Sequence, residues 1–243
     1  MASAVEALKA DGRYHEAVAH HRHLPASEPS YTTPDPRLPW QLEMALDRLG
    51  IPSLYSHQAT ALAAVRAGKN VLVSTPTASG KTLIYNLPVL ETCLNDSLTR
   101  AIYLFPLKAL EQDQRRKVNE LAALAGLEGI FRAEVYDGDT SAHRRKKILA
   151  DPPNVILTNP DMLHLGLLAF HEKWAGFFRN LRYVVVDELH TYRGIFGAHF
   201  AGVLCRLRRI CEYHGSNPSF ICSSATIANP VEFAGQLFGL PFE

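Results

Sequence analysis

Short runs whose interior positions are all apolar constrain this chain more than any other feature. They are Asn70-Val-Leu-Val-Ser74, Ala101-Ile-Tyr-Leu-Phe105, Asn154-Val-Ile-Leu-Thr158, Tyr183-Val-Val-Val-Asp187 and Phe220-Ile-Cys-Ser223. Each is rich in β-branched or aromatic residues, lacks period-2 alternation and stops at a turn-prone or polar residue. A strand can be apolar on both faces only when both faces are covered, as in a parallel sheet between helical layers. Helical stretches separate the runs, so the pattern reads as βαβ units and predicts an α/β fold with a mostly parallel sheet and helices on both faces.

Residues 1 to 45 break that rhythm. Ala4 to Ala19 has helical character, and Pro25, Pro29, Pro34, Pro36 and Pro39 then interrupt any regular element. The segment carries four basic against six acidic residues and is expected to be an extension packed on a core that starts at residue 46. The whole chain holds 25 Lys+Arg against 24 Asp+Glu in 243 residues, so no global field argues for nucleic acid. Any such argument must be local. The runs Arg115-Arg-Lys117, Arg144-Arg-Lys-Lys147 and Arg206-Leu-Arg-Arg209 are read first as solvated helix faces.

Four cysteines occur without a CxxC pair, which suits reduced thiols. His20, His21 and His23 have no partnering ligand cluster and are not read as a metal site. No apolar run approaches the roughly 18–20 residues of a membrane span, and Met1 to Ala10 has no apolar leader core. The expectation is a cytoplasmic protein without a membrane segment, and a monomer.

In open α/β sheets, ligands bind beyond the carboxyl ends of the strands. The unusual residues of this sequence fall there. After the run ending at Ser74 comes Thr75-Pro-Thr-Ala-Ser-Gly-Lys-Thr82, followed by the apolar helical stretch Leu83 to Leu90. A Gly-Lys-Thr opening a helix presents backbone N–H groups to phosphates; Lys81 can reach the β- and γ-phosphates, and the Thr82 hydroxyl can ligate Mg²⁺. Thr75 stands where the generic phosphate loop has its first glycine. Asp187-Glu188 closes another apolar run, where an acidic pair is costly unless a cation or a reaction uses it. Asp187 would hold Mg²⁺ and Glu188 would take the proton of an attacking water. The Gln58 amide can donate to and accept from an adenine edge. Segments 105–110 and 158–162 place amides, a hydroxyl or a lysine where a phosphodiester chain could lie.

Taken in order, Gln58, Thr77-Ala-Ser-Gly-Lys-Thr82, Pro106-Leu-Lys-Ala-Leu110, Thr158-Asn-Pro-Asp161, Asp187-Glu-Leu-His190 and Ser224-Ala-Thr226 resemble the first RecA-like domain of a superfamily 2 helicase. The resemblance covers roughly residues 45 to 240. The acidic box, DELH, is of the DExH kind. Val135-Tyr-Asp-Gly-Asp-Thr140, Asn159-Pro-Asp-Met-Leu-His164 and His190-Thr-Tyr-Arg-Gly-Ile-Phe-Gly197 are similar to the MrfA-type DNA-repair helicases and their RecQ4-like relatives. That family implies a RecA-like P-loop NTPase fold and ATP-driven 3′→5′ movement on single-stranded DNA.

By resemblance, Tyr55 and Gln58 hold adenine, and Thr77, Ala78, Ser79, Gly80, Lys81 and Thr82 hold phosphates. Thr82 and Asp187 bind Mg²⁺, with Lys81, Asp187 and Glu188 as the catalytic set. Pro106, Lys108, Thr158 and Asn159 face the nucleic-acid backbone, and His190, Ser224, Ala225 and Thr226 couple nucleotide state to closure. Ala78 departs from the glycine common at its position, a small-for-small change. The resemblance also implies a second RecA-like domain carrying an arginine finger, which residues 227–243 are too short to form. These 243 residues are therefore expected to bind ATP but to be an incomplete ATPase. The alternatives are an RNA helicase domain, or a non-catalytic binding module with a relic nucleotide pocket. Retention of buried charges at 81, 187 and 188 argues against the relic.

Overall fold

The computed structural model describes residues 2–14, 28–75 and 79–243. Contacts divide the chain into a unit ending at Ser30 and a much larger unit from Tyr31 to Glu243. The first contains helix α1 (Ala2–Ala10), which stops well before Ala19. Residues 15–27, including His20, His21 and His23, lie outside the described residues.

The large unit begins with α2 (Trp40–Arg48), α3 (Ser56–Arg66), β1 (Val71–Ser74), α4 (Thr82–Asn95), β2 (Arg100–Leu104) and α5 (Lys108–Leu124). It continues through β3 (Ala133–Val135), α6 (Ala142–Ala150), β4 (Val155–Thr158) and the single turn α7 (Pro160–Met162). Then come α8 (Ala175–Arg179), β5 (Leu181–Val186), α9 (Gly194–Tyr213), β6 (Ser219–Ser224) and α10 (Pro230–Phe238). The strands form one six-stranded sheet of order β1-β6-β5-β2-β4-β3 among the described residues. Every pairing is parallel.

The apolar runs are explained by two cores, one on each face of this sheet. Ala101, Tyr103, Val155, Leu157 and Val185 point into the core with α2 to α5. Ile102, Leu104, Ile156, Val184 and Val186 alternate into the core with α8, α9 and α10. All these side chains are fully or almost fully buried, so strand positions of either parity must be apolar.

The structure changes two sequence expectations here. The compact unit begins at Tyr31, ahead of the expected boundary at 46, because Leu38, Leu42 and Ala45 are core residues. Arg66 holds this segment, donating to the carbonyls of Pro36 and Arg37 while pairing with Glu91 at 2.5 Å. The sheet also has an edge strand, β3, that no apolar run announces: it is three residues long and its central Glu134 is only half-buried. Cys93, Cys211 and Cys222 are buried thiols, Cys205 is exposed, and none forms a disulfide. No helix among the described residues is long and apolar enough to cross a membrane.

Candidate functional site

The strand order sets β1, β6 and β5 side by side, and their carboxyl ends carry Ser74, Ser224 and Val186-Asp187. Gly80, with φ +73°, turns the chain into α4 in a conformation that favours glycine, and a Cβ there would have to displace the Gln58 amide, 2.6 Å away. Lys81 Nζ donates to the Thr75 carbonyl at 2.9 Å and to the Ser224 carbonyl at 3.2 Å, which spans the ends of β1 and β6. Thr82 opens α4 beside it. Thr77 and Ala78 lie outside the described residues, while the Ser79 hydroxyl meets Thr75 Oγ1 at 2.6 Å.

Asp187 accepts from the Ser223 hydroxyl and, at 3.1 Å, from the Glu188 N–H, both on Oδ1. Burial raises its carboxyl above the usual range, against the pull of Ser223 and Lys81, while the Glu188 charge adds to the rise. A cation at this carboxylate would reverse that balance. Glu188 adopts φ 52°, ψ 47°, a left-handed conformation that a side chain enters only at some cost. His190 Nδ1 lies 3.2 Å from Glu188 Oε2 and 3.2 Å from the Ala225 N–H. The carboxylate needs a proton on that nitrogen, and the N–H needs its lone pair. His190 therefore serves one neighbour or the other, according to where its proton sits. Ser224 is fully buried and Thr226 is exposed.

Gln58 is buried, and its amide is committed to the protein: Oε1 accepts from Tyr55 N at 2.9 Å and Nε2 donates to the Gly80 carbonyl at 2.9 Å. In this arrangement it braces the loop that enters α4 rather than presenting a free edge. His57 reinforces it, with Nε2 3.1 Å from the Ser79 carbonyl. Tyr55 is stacked between His57 and Tyr31, at centroid distances of 5.6 and 5.2 Å. Tyr31 lies in the segment read as an extension, and nothing in its sequence spacing links it to Tyr55. A cavity of about 400 Å³ is lined by Tyr31, Pro52, Tyr55, Gln58, Gly80 and Leu83.

A second set of expected residues follows β2 and β4. Pro106 and Leu107 lead into α5, and Lys108 is exposed but paired with Asp139 at 2.9 Å. Thr158 does not reach the surface. It is fully buried and its hydroxyl donates to the Tyr136 carbonyl at 2.6 Å, so it locks β4 to the chain after β3 instead of facing a ligand. Asn159 is half-buried, and its Oδ1 caps α7 through the Met162 N–H at 3.0 Å. Glu111, missed in the sequence, lies fully buried beside them. Burial and the nearby Asp137 charge push its carboxyl up to about 7, with Asn159 and Lys108 acting in the opposite direction.

The basic runs are largely engaged within the chain. Arg115 and Arg144 meet Glu134, Lys117 meets Asp113, Arg145 holds the carbonyls of residues 137, 138 and 140, and Arg208 holds Phe238 O.

Residues 55–233 match the DEAD/DEAH box helicase family, which covers both groups of residues just described. The chain belongs to that family. It is 51% identical over 201 residues to YprA of Bacillus subtilis, described as an uncharacterized ATP-dependent helicase; the match takes in 83% of this chain and 26% of that protein. The ATP-dependent helicase hrq1 of Schizosaccharomyces pombe is 42% identical over 191 residues, covering 78% of this chain and 18% of its own. Among solved structures, the DUF1998 helicase MrfA bound to DNA and AMPPNP superposes with a TM-score of 0.87 at 44% identity, over 94% of this chain and 32% of that one. The fold is thus the RecA-like domain of these helicases, and the chain spans about a quarter of the length of its Bacillus relative.

Proposed function

We propose that this chain is the ATP-binding motor domain of a 3′→5′ DNA helicase acting in DNA repair. The observation that carries the reading is the meeting of Lys81, Asp187, Glu188 and the Ser224-Ala225 segment at three adjacent strand ends. Lys81 would leave its two carbonyls for the β- and γ-phosphates, and the backbone from Ser79 to Thr82 would cradle them. The Thr82 hydroxyl and the Asp187 carboxylate are hard oxygen donors suited to Mg²⁺, and Asp187 receives both of its protein donors on Oδ1. When bound, the cation supplies neutralisation of phosphate charge. Glu188 accepts the proton of the attacking water, and His190 turns its Nδ1 either to that carboxylate or to the Ala225 N–H. Tyr31, exposed and lining the cavity beside Gly80, offers an aromatic face that supports adenine as the base, with Tyr55 backing it.

The strand ends of β2 and β4, with Pro106, Lys108 and Asn159, form the track for a single strand. DNA is favoured over RNA because two MrfA structures, at 44–47% identity, are bound to DNA, whereas the RNA-bound Mss116, at 20% identity, shares the fold alone. A second RecA-like domain would supply the rest of the motor. The test is calorimetric binding of Mg·ADP to the chain and to Lys81→Ala. Loss of a charge-assisted contact should weaken binding roughly 10- to 100-fold; equal affinities would end the assignment. Competition between DNA and RNA oligonucleotides of one sequence separates the two substrates.

A further inference from the structure

Glu111 sits in the first turn of α5, one turn after Lys108, and is fully buried. Neither of its carboxylate oxygens receives a well-formed hydrogen bond among the described residues, although the Asn159 amide is close enough to act on it. Burial with so little donor support disfavours the charged carboxylate, and native structures seldom keep such a group without a use.

Its surroundings define what that use can be. From its own helix it faces Lys108; from the loop after β3 it faces Asp137 and Asp139; from the end of β4 it faces the Asn159 amide. Arg115, the next cation along α5, is turned to Glu134 at 3.8 Å. Arg145 of α6 holds backbone carbonyls of the 137–140 loop. Lys108 is thus the cation nearest a group of three carboxyls, and it already pairs with Asp139 at 2.9 Å. Asn159 spends its oxygen on the α7 cap, so its NH₂ is left for Glu111 or for a ligand. Lys108 and Asn159 are the two side chains expected to hold a nucleic-acid backbone.

We propose that Glu111 is a positioning residue for nucleic-acid binding: when neutral it leaves Lys108 and the Asn159 amide to turn outward to phosphates, and when ionised it draws both inward. The proposal rests on reading the ends of β2 and β4 as the nucleic-acid track. Because burial and Asp137 push the Glu111 carboxyl up to about 7, the change falls near neutral pH. Ionisation comes with rising pH, so affinity should fall as pH rises through 7.

The test measures binding of a fluorescent oligothymidylate to the 243-residue chain and to Glu111→Gln, at about pH 6 and pH 8 and constant ionic strength. Binding to the parent should weaken roughly fivefold across that interval, the scale of one partly exposed charge contact. Glu111→Gln should keep the low-pH affinity at both values. A variant that loses affinity with pH as the parent does would overturn the proposal. In parallel, NMR of the parent without oligonucleotide should show the Glu111 carboxyl and the Asn159 side-chain amide titrating together near neutral pH. An Asn159 amide that does not move with Glu111 would overturn the positioning role. No oligonucleotide binding at either pH, with the coupled titration intact, would instead reject the nucleic-acid track and the role built on it.

Discussion

Replacing Glu111 by glutamine preserves its shape and removes a charge that the fold disfavours, so it should stabilise the chain only where that charge exists. In the folded protein the carboxyl is raised from 4.5 to about 7, chiefly by burial. A raised carboxyl binds its proton more tightly in the folded state than in the unfolded one. Its favourable contribution is complete below the unfolded value and is lost as pH rises through 7. The difference of about 2.5 units, at about 1.36 kcal/mol each, amounts to roughly 3 kcal/mol at pH 8. At pH 5 most of that penalty has yet to develop, and parent and variant should differ by under about 1 kcal/mol. For a domain of this size, roughly 3 kcal/mol corresponds to about 6–12 °C in Tm. Urea and thermal unfolding of both proteins at pH 5 and pH 8 would check it. A difference that stays constant with pH, or a parent more stable than Glu111→Gln at pH 8, would refute the burial argument.

At Gly197 an added Cβ would lie 2.4 Å from the Tyr192 carbonyl oxygen, a backbone atom that cannot swing aside. Gly197→Ala should therefore cost about 2–4 kcal/mol in urea unfolding and displace the turn that carries His190; unchanged stability would disprove the close approach. Tyr31→Ala removes one ring from the stack lining the cavity beside Gly80. Calorimetry should find ADP binding weakened roughly 2- to 10-fold, with inorganic tripolyphosphate unaffected, and an equal loss for both would place Tyr31 in general folding rather than base binding.

The strands Val71–Ser74, Arg100–Leu104, Val155–Thr158, Leu181–Val186 and Ser219–Ser224 were legible in the sequence because a strand buried on both faces needs apolar residues of either parity. The proposed roles of Lys81, Asp187 and Glu188 rest on a related reason: phosphate loops and acidic boxes are contiguous stretches whose chemistry is local, and the structure sets these three at adjacent strand ends. The edge strand Ala133–Val135 left no such mark, having one neighbour and a half-buried centre. Thr158 had the composition of a surface hydroxyl, yet the parallel pairing of β4 with β3 carries it under Tyr136. Strand order decided the rest. Inserting β6 between β1 and β5 brings the Ser224 carbonyl to Lys81 and the Ala225 N–H to His190. Placing β4 beside β2 brings Asn159 to Glu111, and an antiparallel bridge brings Tyr31 to Tyr55. A local pattern encodes which face of an element is apolar. It does not encode which distant carbonyl, ring or carboxylate the crossover will set against it, since that depends on how whole layers pack.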